Sequence, residues 1–251
     1  MHLDTALPMK SLLLMIIWLI QGSVFAVAKA DTVERVCRGS WCYFQESVEG
    51  WNVFYSETLY KGDQAVFENA RQQLVSDLKK IKTIIPARKL EILKTIRIHL
   101  DLKDVGNRYF FGVYHWSKEA LIERGQDPGK YQSIEIFGAD NYPHWTRSQP
   151  AAVLHELAHA YSAQYLTNEE RTAVEHAYNA AMAKGLYGEV PYFDGEKTYL
   201  QKAYASTDRY EYFTESVEAY FWKNDYFPFN RKELKIYDPQ MFAVVRAIWQ
   251  N

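Results

Sequence analysis

The 251-residue sequence contains few cysteines, glycines and prolines, and neither sign of charge is in excess. Twelve glycines and eight prolines are too few for a collagen-like or low-complexity chain. Lysine and arginine number 29 against 31 aspartates and glutamates, so the net charge of −2 predicts no general attraction to nucleic acid. Aromatic residues make up 16% and apolar residues 48% of the chain. That composition excludes a disordered chain and predicts a globular protein with a substantial core.

Only one hydrophobic run is long enough to suggest a membrane segment, and it lies near the N terminus. Residues 11–20 read SLLLMIIWLI after Lys10, and small residues follow at Ala26, Ala28 and Ala30. This order predicts a signal peptide over residues 1–30, cleaved after Ala26 or Ala30. An uncleaved anchor is the alternative, because residues 11–28 carry no charge and reach the lower length limit for a span. We therefore expect a secreted or periplasmic protein without stable membrane insertion.

The two cysteines, Cys37 and Cys42, both lie in the segment CRGSWC. An oxidising compartment would favour a local disulfide between them, with two free thiols as the alternative. Closing so short a loop stabilises by only about 2 kcal/mol in the chain-entropy model. The bridge would therefore order the N-terminal arm rather than hold the whole fold.

Strand patterns come first and helix patterns later, which predicts an α+β fold. We predict strands at 51–55, 95–101, 109–116 and 133–137, and helices at 63–85, 117–124, 148–166, 168–185, 208–222 and 240–249. One domain of two lobes follows: a small N-terminal sheet-and-helix lobe at 31–147, and a mainly helical lobe at 148–251. Ser148 is the predicted N-cap of the helix over 148–166.

Residues 155–159 read His-Glu-Leu-Ala-His on that predicted helix. Positions i and i+4 are about 40° apart around a helix, so His155 and His159 leave the same face within one turn. Both imidazoles can then reach one Zn²⁺, while Glu156 can reach a water beside the metal. Two histidines in surface ion pairs are the alternative. A zinc site needs a third protein ligand.

The strongest candidate for that ligand is Glu211, in the segment EYFTESVEAYF. Glu211 and Glu215 lie one turn apart on an otherwise apolar helix, and buried carboxylates are costly without a cation or donors. Glu211 would bind the metal, and Glu215 would accept the second ring nitrogen of a ligand histidine. A solvated acidic face is the alternative for this helix, and Glu175 is the next candidate ligand.

Three segments together resemble a known family. HELAH at 155–159, YASTD at 204–208 and EYFTE at 211–215 look like the catalytic domain of anthrax lethal factor and related gluzincin metallopeptidases. The resemblance covers roughly residues 149–222 and implies a zincin-like fold. It also implies that the first Glu of the E-[FY]-F-x-E helix, Glu211, is the third ligand. The Tyr seven residues before it, Tyr204, would assist catalysis. Arg209 and Tyr210 depart from the Glu-Ala that the family pattern has before the ligand.

The resemblance and the motif together predict a secreted zinc endopeptidase with one Zn²⁺ per chain and a peptide or protein substrate. His155, His159 and Glu211 would hold the metal, Glu156 would act as general base and Tyr204 would donate to the oxyanion. The strand at 133–137 would be the sheet edge that pairs with the substrate. A zinc amide hydrolase acting on cell-wall peptide and a non-catalytic zinc-binding module remain alternatives. The sequence does not indicate the oligomeric state.

Overall fold

The computed structural model describes residues 33–102 and 111–250, which form a mixed α and β fold. A small N-terminal sheet lobe is followed by a mostly helical part, so the α+β class is confirmed. The predicted signal peptide lies outside the described residues, as does the start of the strand predicted at 109–116. No helix among the described residues combines the length and the hydropathy needed to cross a bilayer.

The strands are β1 (Glu34–Arg38), β2 (Trp41–Val48), β3 (Trp51–Ser56), β4 (Ile98–Leu100), β5 (Gly112–Tyr114), β6 (Ile134–Ile136), β7 (Val190–Phe193) and β8 (Thr198–Gln201). The helices are α1 (Glu57–Tyr60), α2 (Gln64–Ile84), α3 (Ala87–Leu93), α4 (Lys118–Glu123), α5 (Tyr142–Trp145), α6 (Ala152–Tyr165), α7 (Asn168–Ala183), α8 (Arg209–Phe221), α9 (Arg231–Tyr237) and α10 (Pro239–Gln250). Two short 3₁₀ turns, Pro128–Lys130 and Tyr204–Ser206, complete the described elements.

Six strands form one sheet in the order β1-β2-β3-β4-β6-β5. β3, β4 and β6 run parallel, whereas β5 pairs antiparallel with β6 and is the edge of the sheet among the described residues. The expectation that the strand at 133–137 is the edge is therefore wrong. β6 lies between β4 and β5, because the chain returns to place β6 beside β4 and leaves β5 outside.

One face of the sheet joins the main core. The registers align Val53 with Ile98 and Ile134, and Tyr55 with Leu100 and Ile136, in two buried rows across the parallel strands. Apolar side chains of α2 and α6 are buried in the same core, including Leu74, Leu78, Leu154 and Leu157. Because successive strand residues point to opposite faces, Phe54, His99 and Glu135 lie on the other side of the sheet.

The predicted disulfide between Cys37 and Cys42 is confirmed. The two residues lie opposite each other in the β1–β2 hairpin. The hairpin itself was not predicted from the sequence. Gly39 has a φ of +61°, which a glycine adopts without steric cost in a two-residue hairpin turn. A disulfide is typical of an oxidising, extracellular environment.

The helical part follows the prediction with changes at the helix ends. α6 begins at Ala152 with Ala151 at the N-cap, and no side chain caps it. Ser148 is therefore not the N-cap; its hydroxyl donates to the carbonyl of Trp145 at 3.1 Å. Pro150 explains the difference, because the residue before a proline is disfavoured in the helical region and the helix starts after it. The helical part also contains the β7–β8 hairpin and α9, which were not predicted.

Candidate metal centre

α6 carries the two histidines and holds them rigidly through its buried face. Leu154, Leu157 and Ala158 on this helix are fully buried, and the helix packs against β5, β6 and α8. The side chains of His155 and His159 remain 12% and 16% exposed, on the side of the helix that borders a cavity. The apolar face of α6 therefore fixes the direction in which both imidazoles point.

Glu211 reaches the same point from the first turn of α8. Asp208 caps that helix, and its Oδ1 accepts from the backbone nitrogens of Tyr210 at 2.7 Å and Glu211 at 3.0 Å. The helix is otherwise buried along most of its length, including Tyr212, Phe213 and Val217. A capped and buried helix thus presents the carboxylate of its first turn to α6.

The three side chains meet at one small triangle of polar atoms. Nε2 of His155 and Nε2 of His159 are 3.0 Å apart, and each lies 3.1 Å from Oε2 of Glu211. A tetrahedral cation with bonds of ~2.0–2.1 Å separates its ligand atoms by ~3.3 Å, so the observed edges differ by a few tenths of an ångström. This cluster could therefore hold a metal ion.

The second ring nitrogen of His155 shows which of its nitrogens is free to bind. Nδ1 lies 2.6 Å from Oε1 of Glu218 and donates to that carboxylate, so in the neutral imidazole Nε2 carries the lone pair and faces His159 and Glu211. A shared cation would stabilise this arrangement, in which two imidazole nitrogens and one carboxylate oxygen lie 3.0–3.1 Å from one another. The donor set thus fits a metal better than it fits a hydrogen-bonded network alone.

Glu215, the predicted acceptor for the histidine, lies further away. Its Oε1 is 3.9 Å from Nδ1 of His155, and its Oε2 has no hydrogen-bond partner. Glu218 occupies that position instead, and the sequence reading missed it. Residues 215 and 218 follow Glu211 by four and seven positions, so the helical period places both on the face of Glu211 and cannot choose between them.

Burial shifts the titration of several carboxyl groups around His155. Desolvation raises the pKa of Glu215 well above its ordinary value, and nearby Asp225 and Glu218 add to this shift. Burial, with repulsion from Glu218, raises the pKa of Asp225 to about 7. For Glu211, burial opposes ionisation, but hydrogen bonds from His155 and His159 outweigh it and lower the pKa. This side of the cluster therefore contains several buried carboxyl groups, and burial favours the neutral forms of Glu215 and Asp225.

Glu156 and Tyr204 lie beside the triangle without being part of it. Glu156 is 8% exposed, borders the cavity, and has a pKa raised by burial. The hydroxyl of Tyr204 donates to Oε1 of Glu211 at 3.2 Å, on the oxygen that does not face the histidines. Burial, followed by the charge of Glu211, raises the pKa of Tyr204, so its hydroxyl keeps its proton at neutral pH.

Gly112, at the start of the edge strand β5, packs directly against Glu156. A Cβ at this position would lie 2.8 Å from Cγ of Glu156, closer than two carbon atoms pack. The absence of a side chain here lets the edge strand and the carboxylate approach each other. The sequence reading also missed this residue, and only the strand order could have revealed it.

Glu175, the alternative ligand, is not brought to the cluster. Its side chain is 50% exposed on α7 and lies 3.5 Å from Nη1 of Arg209. The described residues thus unite His155, His159 and Glu211 at one point, and place Glu175 in a surface ion pair instead.

No family model, no curated protein and no solved structure matches this chain. The chemical interpretation of the site therefore depends on its own geometry.

The cluster borders a cavity of about 900 Å³. Its lining includes the aromatic residues Phe111, Phe137 and Trp145, and also Trp116, Arg124 and Arg171. A volume of this size accommodates several residues of an extended peptide as well as a small ligand.

Proposed function

We propose that this protein is a zinc-dependent peptidase of the gluzincin type. The observation that carries the proposal is the triangle of His155, His159 and Glu211, with the carboxylate of Glu156 beside it and left free of it. A site that binds metal only for structure is usually closed by four protein ligands and has no use for a free carboxylate next to the ion. Three ligands and a bordering cavity are typical of a catalytic site.

The donor set favours zinc among the common metals. Two imidazoles and one carboxylate suit Zn²⁺, whereas Ca²⁺ and Mg²⁺ prefer oxygen ligands in larger numbers. The hydrogen bond from Nδ1 of His155 to Glu218 has the form of the carboxylate–histidine pairs that orient zinc ligands.

The chain's own residues would share the work of peptide hydrolysis. When bound, Zn²⁺ supplies a lowered water pKa and polarisation of the substrate carbonyl. Glu156, whose pKa burial raises, would take the water's proton and return it to the leaving amine. The Tyr204 hydroxyl would donate to the negative charge that develops on the carbonyl oxygen. Its bond to Glu211 holds that hydroxyl within reach of the cluster.

The free edge of β5 would align the substrate. In the part of the chain that the structure describes, no strand pairs with the other side of β5, and Gly112 brings β5 against Glu156. An extended peptide that added to this edge would pass directly over the general base. The cavity of about 900 Å³ at the cluster has room for several residues of an extended peptide, which favours cleavage within a chain.

The proposal includes export from the cytoplasm, which would allow the disulfide of Cys37 and Cys42 to form and persist. The signal-like segment over residues 1–30 supports it.

Metal analysis and peptide cleavage by matched variants test the function. Purified protein should contain one zinc per chain, and a mixed peptide library should be cleaved without a chelator and left intact with one. Glu156→Gln should keep the zinc and lose nearly all turnover, since a carboxamide cannot accept the water's proton. His155→Ala should lose both, whereas Glu175→Ala should lose neither, because Glu175 lies outside the cluster.

Different results would overturn different parts of the proposal. Substantial activity in Glu156→Gln would exclude the general base. Zinc retained with no hydrolysis of any peptide would indicate a binding module. Hydrolysis confined to cell-wall peptides would indicate an amide hydrolase of narrower substrate range.

A further inference from the structure

The cavity extends past the end of β5 toward a region that the proposed chemistry does not use. Tyr114 ends this strand and lies beside Gln164, close to the C-terminal end of α6. Trp116 follows and is 74% exposed, and both residues line the cavity. The end of β5 and the C-terminal end of α6 therefore bound this end of the cleft.

Two guanidinium groups line the same cavity. Arg124 comes directly after α4, and its side chain is exposed. Arg171 on α7 donates from Nε to the carbonyl of Leu166 at 3.2 Å and from Nη2 to the carbonyl of Ala163 at 2.9 Å. These bonds place Arg171 at the C-terminal end of α6. Within residues 33–102 and 111–250, neither arginine forms an ion pair with a carboxylate.

A buried amide adds a hydrogen-bonding group to the same wall. Gln126 is 4% exposed and lines the cavity, and its Oε1 has no hydrogen-bond partner among residues 33–102 and 111–250. A buried acceptor without a partner costs free energy, and a backbone N–H of an extended peptide would satisfy it. The wall thus offers an acceptor for a peptide backbone and two cations for a side chain.

The carboxylates that line the cavity belong to the region of the metal cluster. Asp208 also lines the cavity, but its Oδ1 caps α8 three residues before Glu211, next to the metal cluster. Glu156, Glu211, Glu215 and Glu218 are likewise grouped around the histidines. The carboxyl groups that line the cavity are therefore grouped around the metal cluster, whereas Arg171 lies at the C-terminal end of α6.

We infer that the cleft end formed by Trp116, Arg124, Gln126 and Arg171 binds an acidic side chain of the substrate, so that the enzyme selects peptides carrying Glu or Asp there. The inference rests on the proposed peptidase function and names its substrate class. A guanidinium binds a carboxylate through two parallel hydrogen bonds, which distinguishes it from the neutral amide of the same shape.

The distance along α6 predicts where that acidic residue lies. Seven residues separate Glu156 from Ala163, whose carbonyl Arg171 contacts, and a helix rises ~1.5 Å per residue, which gives about 10 Å. An extended peptide covers that distance in about three residues. Antiparallel pairing with β5, the slightly more stable arrangement, places these residues on the N-terminal side of the cleaved bond. We expect selection at the third residue before it, with the second and fourth as immediate neighbours.

Matched fluorogenic peptides test this directly. One series carries a single Glu at each position from the fourth residue before the cleaved bond to the third after it, and a second series carries Gln instead. The Glu peptide should exceed the Gln peptide about tenfold in kcat/KM at the second to fourth position before the bond, mainly through KM. Equal values at all three positions would overturn the inference.

Variants of Arg124 identify the group that reads the charge. Arg124→Glu should abolish the preference for Glu and favour a Lys peptide at the same position. Arg88→Glu is the matched control, because Arg88 is exposed on α3, outside the cavity, and the change in net charge is the same. Arg124 is preferred over Arg171 for this purpose, since Arg171 also holds two carbonyls of the chain. An unchanged Glu-to-Gln ratio in Arg124→Glu would overturn the assignment.

A binding measurement separates this inference from the proposed function. The affinity of the same peptides for the zinc-loaded Glu156→Gln variant can be measured by calorimetry, without any turnover. Tighter binding of the Glu peptide, together with no cleavage by the wild-type protein, would support the acidic subsite and refute the peptidase. Cleavage without discrimination would support the peptidase and refute the subsite. Neither binding nor cleavage of any peptide would refute both.

Discussion

Replacing Gly112 by alanine tests whether Glu156 acts from the position in which the structure holds it. The added Cβ would lie 2.8 Å from Cγ and 3.0 Å from Oε1 of Glu156. Carbon atoms in contact prefer ~3.5–4.0 Å, so the carboxylate must move by roughly 0.7–1.2 Å. A misplacement of about 1 Å near the reacting atoms can cost ~10²-fold in rate. We therefore expect Gly112→Ala to lower kcat by roughly 10- to 100-fold.

The zinc content of Gly112→Ala should not change, because the nearest atoms to the new methyl group all belong to Glu156. Gly112 also has no positive φ, so alanine introduces no backbone strain there. Gly188→Ala is the matched control: its Cβ would meet only the carbonyl of Gly185 at 3.6 Å, an ordinary contact. Steady-state kinetics and metal analysis of both variants provide the measurement. Wild-type kcat in a zinc-loaded Gly112→Ala protein would refute the role given to Glu156.

Three further predictions concern the surroundings of the site and the core. Glu218→Gln should weaken zinc binding by about 10- to 100-fold, as measured with a competing chelator. Glu215→Gln should have a smaller effect, because Glu215 lies further from His155. The opposite order of the two effects would favour Glu215 as the partner of His155. Tyr204→Phe should retain zinc and lose about 10²–10³-fold in kcat with little change in KM, and a wild-type kcat would leave Tyr204 a structural role. Burial raises the pKa of Asp77 from 3.8 to about 6, so the native state binds a proton at this carboxyl more tightly than the unfolded state does. The stability that this proton contributes is fully present below pH 4 and is lost as the pH rises through 6. Urea unfolding should therefore show that the free energy of unfolding of Asp77→Asn, relative to that of wild type, rises by about 3 kcal/mol from pH 4 to pH 7. A difference between the two proteins that does not depend on pH would contradict this.

The elements that depend on local pattern could be predicted from the sequence. The helix predicted at 63–85 is confirmed as α2, with Asp63 as its N-cap, because the cap and the apolar stripe lie within one continuous segment. The same holds for the helix bearing HELAH, apart from its first residues. The segments that escaped prediction are short or stabilised from outside. The exposed β8 strand and the β1 strand are held in place by their hairpin partners rather than by an apolar pattern of their own.

The residues of the site likewise divide into those that a local sequence pattern predicts and those that depend on packing between distant segments. The two histidines and Glu156 follow from one turn of helix, so their relation needs no tertiary structure to predict. Glu211 could be proposed because a carboxylate on an apolar helix demands a cation, although α8 lies more than fifty residues further along the chain. The choice between Glu215 and Glu218 depends on how α8 is rotated against α6, and that rotation is set by packing between segments far apart in sequence.

The position of β5 shows why the cavity beside the metal cluster was harder to predict than the metal ligands. Whether β5 or β6 forms the edge depends on the order in which the strands pair, and a three-residue strand carries too little pattern to indicate it. Gly112 is significant only because that order places it on Glu156. The charge of the cleft follows from the same arrangement. Arg124 and Arg171 belong to separate helical segments, and only the end of β5 and the end of α6 bring them to one wall of the cavity. The relation between the two histidines and Glu156 is thus encoded locally, whereas the arrangement of the cavity around them is encoded in the topology.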